Sequence, residues 1–306
     1  MTTKRDEPDC MRALYQGWTD RMTANPEMGI EDMRAMFDEW HQATGEPEGV
    51  TYADGEVGGV PGIWCTPVDG DPKKVVLYTH GGGFAAGSAA SHRKFAGHLA
   101  KALGGTAFVL DYRRSPEHPF PAQIDDATAA YRGLLEQGIK PADITTAGDS
   151  AGGNLAISTV LKLKQDGVDL PGAIIGFSPW VDMEHTGKTL ESNSGTDALV
   201  QKVILEGMSG MFLGEDADTK RTDPLANPLY ADFSGLPRMY LAAGTHETLQ
   251  DNAEQVAERA RAAGVDCTLN VVDGQQHVFA MMAGRARVAD DELARIGQWY
   301  GKESRQ

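Results

Sequence analysis

The chain has 306 residues, with 28 Lys and Arg against 44 Asp and Glu, giving a formal net charge of −16. Its length suits one large domain or two small ones, and 41% hydrophobic with 24% charged residues supports a packed core, not a disordered or fibrous chain. The negative excess repels phosphate backbones and anionic headgroups, which argues against nucleic-acid binding and polybasic membrane docking.

The N-terminus, residues 1–12, is charged where a secretion signal needs an apolar stretch. No apolar run nears the roughly 20 residues that span a bilayer, so a cytoplasmic protein without stable membrane association is expected. Three scattered cysteines, Cys10, Cys65 and Cys267, suit neither a disulfide framework nor a zinc site. Residues 1–45 read as two helices. Met11, Leu14, Tyr15, Trp18 and Met22 share one face, Ile30, Met33, Phe37 and Trp40 another, and Asn25–Pro26 marks the break. These stripes are unusually rich in Met and Trp, which leaves room for covering a substrate.

From residue 50 the pattern changes. Gly49–Val60 and Gly62–Thr66 read as short strands joined by a Gly-containing turn. Strands at Val75–Tyr78, Ala107–Tyr112 and Ile144–Ala147 are each followed by a helical run, over 91–103, 124–137 and 152–165. A strand at Ala173–Phe177 precedes an interruption over 180–237 that contains no clean strand. Met239–Ala243, a helix over 251–263, Cys267–Val272 and a helix over about 288–300 complete the chain. Such alternation predicts an α/β fold, with a mostly parallel sheet covered on both faces. The interruption is expected to lie over the C-terminal strand ends, where open α/β sheets bind ligands.

Three segments carry chemistry. Gly148-Asp149-Ser150-Ala151-Gly152 matches G-x-S-x-G, a weak pattern alone. Here it follows a strand and opens a helix, the context of a nucleophile elbow. His80-Gly81-Gly82-Gly83-Phe84 follows another strand, and its glycines leave backbone N–H groups free for an oxyanion. A phosphate loop would want Lys and Ser/Thr next, whereas Phe84-Ala85-Ala86 follow. A serine needs a base and an orienting acid. Of the later histidines, His277 follows the last strand, while His185 lies in the interruption and His246 in the preceding loop; the latter two read as surface or hydrogen-bonding groups. In the loop after Met239–Ala243, Glu247 and Asp251 both qualify as the acid. Asp251 stands before a helix, where capping explains it, so Glu247 is favoured.

On these residues the chain resembles the hormone-sensitive-lipase-like bacterial carboxylesterases, family IV of the α/β-hydrolases, over about residues 60–300. The stretch Tyr112-Arg113-Arg114-Ser115-Pro116-Glu117-His118-Pro119-Phe120-Pro121-Ala122 strengthens the likeness, being close to the family's YRLAPEHPFPA. Asp223-Pro224, Ser178-Pro179-Trp180 and Gly235-Leu236-Pro237 also match family segments. The resemblance implies Ser150 as nucleophile, His277 as base, and N–H groups of Gly82, Gly83 and Ala151 as the oxyanion hole. His80 would organise the glycine loop. Most members carry Asp-Pro-Leu at the acid, whereas this chain has Glu247-Thr248-Leu249, similar to the acetyl hydrolases and monoterpene lactone hydrolases. It further implies a helical cap from residues 1–45, with part of an insertion at about 180–215, over a catalytic domain spanning 46–306. No metal or organic cofactor is implied.

The expected reaction is hydrolysis of short-to-medium acyl esters, roughly C2–C8, through an acyl-enzyme. Phe84, Trp18, Trp40, Trp180, Met208, Met211, Phe212 and Phe279 are candidate pocket walls for a small apolar ester. A lactone hydrolase or an amidase would use the same groups, and a non-catalytic ligand receptor is the rival from another class. A homodimer is compatible with all of these readings.

Overall fold

The computed structural model describes residues 6–302; residues 1–5 of the charged N-terminus and 303–306 of the expected catalytic domain lie outside them. Helix α1 (Cys10–Ala24) buries Met11, Tyr15 and Trp18, and α2 (Ile30–Phe37) buries Met36 and Phe37. The anticipated break falls at Asn25, whose N–H closes the last turn of α1 onto Arg21 and Met22. A 3₁₀ turn, Asp38–Gln42, then buries Trp40.

Strands β1 (Val50–Val57) and β2 (Val60–Pro67) form an antiparallel hairpin in which Val57 pairs with Val60. The turn is therefore Gly58-Gly59, not the 60–62 region expected from sequence. Both glycines have positive φ, 60° and 79°, which a tight two-residue hairpin requires.

Six further strands follow: β3 (Val75–Thr79), β4 (Thr106–Leu110), β5 (Ile144–Asp149), β6 (Ala173–Phe177), β7 (Arg238–Gly244) and β8 (Cys267–Val272). The sheet order is β1-β2-β4-β3-β5-β6-β7-β8, parallel from β4 to β8 with β1 and β2 antiparallel at one edge. Helices α3 (Ala89–Leu103), α4 (Ala122–Glu136) and α5 (Ala151–Gln165) connect the first parallel strands. Every residue of β3, β4, β5 and β6 is buried, which explains why Val75–Tyr78 reads as a continuous apolar run without alternation. Helix α5 starts directly behind β5 and is buried nearly all round, so its N-terminus sits at the centre of the molecule.

The 180–237 interruption holds no strand. It contains the single turn α6 (Thr189–Ser192), then α7 (Lys202–Leu213) and the short α8 (Ala217–Lys220). Helices α9 (Gln250–Ala262) and α10 (Arg287–Gly301) complete the layers. Among the described residues no helix is long and apolar enough to cross a membrane.

Candidate active site

Ser150 sits between β5 and α5 with φ 52° and ψ −122°, a conformation that side-chain-bearing residues adopt only at a cost. The surroundings enforce it. Its N–H donates to the Phe177 carbonyl at 2.8 Å, and its own carbonyl accepts from Trp180 N at 3.0 Å and Asn154 N at 3.1 Å. Gly152 is required here: a Cβ on it would lie 2.0 Å from the Thr79 carbonyl oxygen of the neighbouring strand.

The glycine loop lies alongside. Gly82 has φ 114°, and a Cβ there would meet the Ala86 carbonyl oxygen at 2.2 Å. The Gly82 carbonyl accepts from the N–H groups of Ala85 and Ala86, folding the loop back on itself. Among the described residues, the N–H groups of Gly82, Gly83 and Ala151 donate to no protein acceptor. Gly82 and Gly83 line the same cavity as Ser150 and His277.

His277, in the loop after β8, is buried, and its Nδ1 lies 3.1 Å from Glu247 Oε2. Glu247 follows β7 and is fully buried. Burial pushes its carboxyl above the usual range, opposed by contacts with His277 and Ser178. For His277, burial alone would lower the pKa. The hydrogen bond and charge of Glu247, with Asp197 and Asp149 behind it, more than offset that and hold it above its ordinary value. Among the described residues, His277 is hydrogen-bonded to Glu247 and not to Asp251. Asp251 does not cap α9 either: the helix starts at Gln250, and the Asp251 carboxylate accepts from Thr189 N at 3.2 Å. Capping was the wrong account of it.

His80 is buried beneath the glycine loop, its Nδ1 2.8 Å from the Gly81 carbonyl oxygen and its ring stacked on Tyr112 at 4.2 Å. Burial and the neighbouring His92 hold it at a pKa of about 3, so it is neutral. Asp149, preceding Ser150, reaches back under the same loop. Its Oδ1 accepts from Tyr78 at 2.7 Å and from Gly81 N at 3.1 Å, and Oδ2 lies 3.4 Å from His92 Nε2. Burial alone would raise the Asp149 pKa, but His92, Tyr78 and His80 more than offset it and keep the carboxyl ionised. His185, expected at the surface or in a hydrogen bond, is instead buried and stacked on Trp180 at 6.0 Å.

The cavity and the open solvent at its mouth together hold about 370 Å³ of empty space. Apart from Ser150, His277 and the glycines, its walls are apolar or aromatic: Trp180, Met208, Trp40, Phe37, Leu199, Val200, Ile204 and Leu205. Trp180, Met208 and Trp40 were anticipated from sequence. Trp18, Phe84, Met211, Phe212 and Phe279 do not line it. Trp18 backs Phe37 in a 4.9 Å stack, and Phe84 pairs with Phe212 at 3.8 Å. Phe279 is buried in a 3₁₀ turn past His277, and Met211 is only half-buried on α7. Ile204 stands one turn before Met208 on α7, so helical spacing could have found it. Leu199 and Val200 lie in irregular chain, where no period marks them.

Among the described residues no cluster of His, Cys, Asp or Glu could hold a metal ion. Comparison with known proteins adds four findings. The family described as the alpha/beta hydrolase fold matches residues 76–281. An acetyl-hydrolase of Streptomyces hygroscopicus is 36% identical over 274 residues, covering 84% of this chain and 90% of the relative. A solved esterase from the bacterial hormone-sensitive lipase family superposes with a TM-score of 0.90 at 36% identity, over 97% of each chain. A protein named EstE5, solved after soaking with p-nitrophenyl butyrate, superposes with a TM-score of 0.87 at 30% identity, over 96% of this chain and 97% of its own.

Proposed function

Because the chain belongs to the hormone-sensitive-lipase-like branch of the α/β-hydrolases, we propose that it is a serine carboxylesterase acting on short acyl esters. One observation carries this reading: Ser150, His277 and the glycines of the loop face one small apolar cavity, with Glu247 directly behind His277. His277 takes the Ser150 proton as the hydroxyl attacks the ester carbonyl. Glu247 holds the imidazole with Nδ1 protonated and stabilises the imidazolium. The N–H groups of Gly82, Gly83 and Ala151 receive the negative charge that develops on the carbonyl oxygen. His277 then protonates the leaving alkoxide, and water repeats the sequence on the acyl-enzyme. No cofactor enters these steps.

The substrate class follows from the walls. A narrow cavity walled by apolar and aromatic side chains favours compact esters, of roughly C2–C8. The acetyl-hydrolase relative and the p-nitrophenyl butyrate used with EstE5 point the same way. Helices α1 and α2, with the 180–215 segment, act as the cap. The unpaired thiols Cys10, Cys65 and Cys267 suit a reducing compartment, in keeping with the cytoplasm.

The test is hydrolysis of p-nitrophenyl acetate, butyrate and longer esters by wild type and Ser150→Ala, with a lactone and an anilide alongside. Ester turnover lost in Ser150→Ala is the expected result. Turnover kept in a folded Ser150→Ala protein would exclude Ser150 as nucleophile, and a chain-length maximum at C12 or beyond would exclude the small-ester reading. Preference for the lactone or the anilide would move the assignment to those bonds. No turnover by wild type would favour a ligand receptor.

A further inference from the structure

Residues 196–201, between α6 and α7, join the cavity wall to the loops that carry Glu247 and His277. Leu199 and Val200 form part of the cavity wall. The centre of the segment is Asp197, a buried carboxylate with both oxygens fully used. Its Oδ1 accepts from Leu199 N at 2.9 Å and Val200 N at 2.8 Å. Its Oδ2 accepts from Thr248 N at 2.8 Å and lies 3.1 Å from the Thr248 hydroxyl. That hydroxyl is also 3.0 Å from the Val200 carbonyl oxygen, so one proton serves both. Thr248 immediately follows Glu247. A proline at 248 would offer neither donor.

The loop carrying His277 grips the same segment. Gln276 donates from Nε2 to the Thr196 carbonyl at 2.8 Å and accepts at Oε1 from Ala198 N at 2.9 Å, bracketing Asp197. Helix α1 adds a third tie, Thr19 Oγ1 to the Ala198 carbonyl at 2.7 Å.

We propose that Asp197 is a positioning residue for the ester hydrolysis: it fixes the Leu199–Val200 wall to the loop bearing Glu247 and places a second buried negative charge beside the Glu247–His277 pair. A carboxylate left in a buried site needs strong donors, and four are supplied here. The geometry makes pocket shape and base position one unit. Anything that moves the wall moves the acid loop with it. The charge acts on His277 together with Glu247 from the β7 loop and Asp149 from the elbow, and Tyr15 approaches its carbonyl from α1. All three carboxylates favour the imidazolium.

This inference rests on the proposed esterase activity, so wild type and Ser150→Ala are assayed first with p-nitrophenyl acetate. Absence of wild-type turnover would overturn both readings. With turnover established, Asp197→Asn removes the charge and disturbs the donor set. We expect kcat about tenfold lower and the acid limb of the kcat/KM profile moved to lower pH. Thr248→Val keeps the charge and the backbone donor but loses the hydroxyl. Its acid limb should stay in place, while the acetate-to-hexanoate preference shifts at least about twofold as the wall loosens. A folded Asp197→Asn protein with wild-type pH limb and chain-length preference would overturn the proposal. If Asp197→Asn does not fold, Thr248→Val decides alone: an unchanged chain-length preference overturns the clamp, and a changed one supports it.

Discussion

The hydroxyl of Tyr15, on the first helix, donates to the backbone carbonyl of His277 at 3.0 Å across 262 residues of chain. The same hydroxyl accepts from Trp40 Nε1 at 3.1 Å, and Trp40 lines the cavity. A wall residue is thus connected through one buried phenol to the backbone of the proposed base. Tyr15→Phe leaves a buried N–H and a buried carbonyl without partners, a loss of about 1–3 kcal/mol. We expect a lower denaturant midpoint, read by urea unfolding, and a kcat for p-nitrophenyl acetate reduced several-fold. Unchanged stability and unchanged kcat would mean that the contact carries no weight.

The pH dependence follows from His277. To accept the Ser150 proton the imidazole must be neutral, and in the folded protein its pKa is raised above the ordinary 6.5. Protonation therefore begins earlier on acidification than for a free histidine. We expect kcat/KM to fall, as pH decreases, through a midpoint above 6.5. A pH profile at constant ionic strength checks this. An acid-limb midpoint below 6.5 would contradict the Glu247–His277 pairing as its cause.

Gly82→Ala tests the oxyanion loop. The new Cβ would demand both a φ of 114° and a 2.2 Å approach to the Ala86 carbonyl oxygen, so the loop must shift. Losing one aligned donor from such a site costs about 10²–10³ in kcat. We expect a loss in that range, with KM changed far less and thermal unfolding only modestly affected. Parallel measurement of kcat, KM and Tm separates the outcomes; a kcat within a few-fold of wild type would remove Gly82 from the hole.

How much of this was legible in sequence depended on the kind of signal. Strands such as Val75–Tyr78 and Ala173–Phe177 announced themselves because burial on both faces makes them continuously apolar. Ser150 and the glycines were legible because their backbone geometry tolerates few residue types. Asp197, Tyr15 and Arg34 were not. Each acts through contacts between segments distant in sequence, and no local period or spacing marks such a partner. The pocket walls were legible only in part for a related reason. Trp18 and Phe37 both fall on apolar helix faces, yet Phe37 lines the cavity while Trp18 is stacked on it and does not line it.

Arg34 fastens the second helix to the body of the protein. Its guanidinium donates to the Ala85 carbonyl at 2.9 Å, to the Ser115 carbonyl at 3.0 Å and to Glu117 at 2.6 Å. Ala85 belongs to the glycine loop, and Phe37 at the end of α2 lines the cavity. Arg34→Met preserves the length of the stem but leaves two buried carbonyls without donors, at about 2 kcal/mol. We expect a lower Tm together with a raised KM for butyrate, since Phe37 is no longer held in place. Loss of Tm without any change in KM would make Arg34 a fold-stabilising residue alone.

Met208 lines the cavity beside the glycine loop. Its sulfur lies against the glycine loop so closely that a Cβ on Gly83 would fall 2.1 Å from it. The side chain also forms cavity wall beside Ile204 and Leu205. If the acyl chain runs along this wall, its length is limited by the Met208 side chain. Truncation to alanine opens that space without touching Ser150, His277 or Glu247. Each methylene newly accommodated is worth about 0.8 kcal/mol, or about fourfold in kcat/KM. For Met208→Ala we expect the hexanoate-to-acetate ratio of kcat/KM to rise by about that factor per methylene admitted, while kcat for acetate changes little. The control is Met211→Ala on the same helix, which removes a side chain that does not line the cavity and should leave the ratio unchanged. Equal ratios in wild type and Met208→Ala would place the acyl chain elsewhere, toward the walls formed by Trp40 and Phe37.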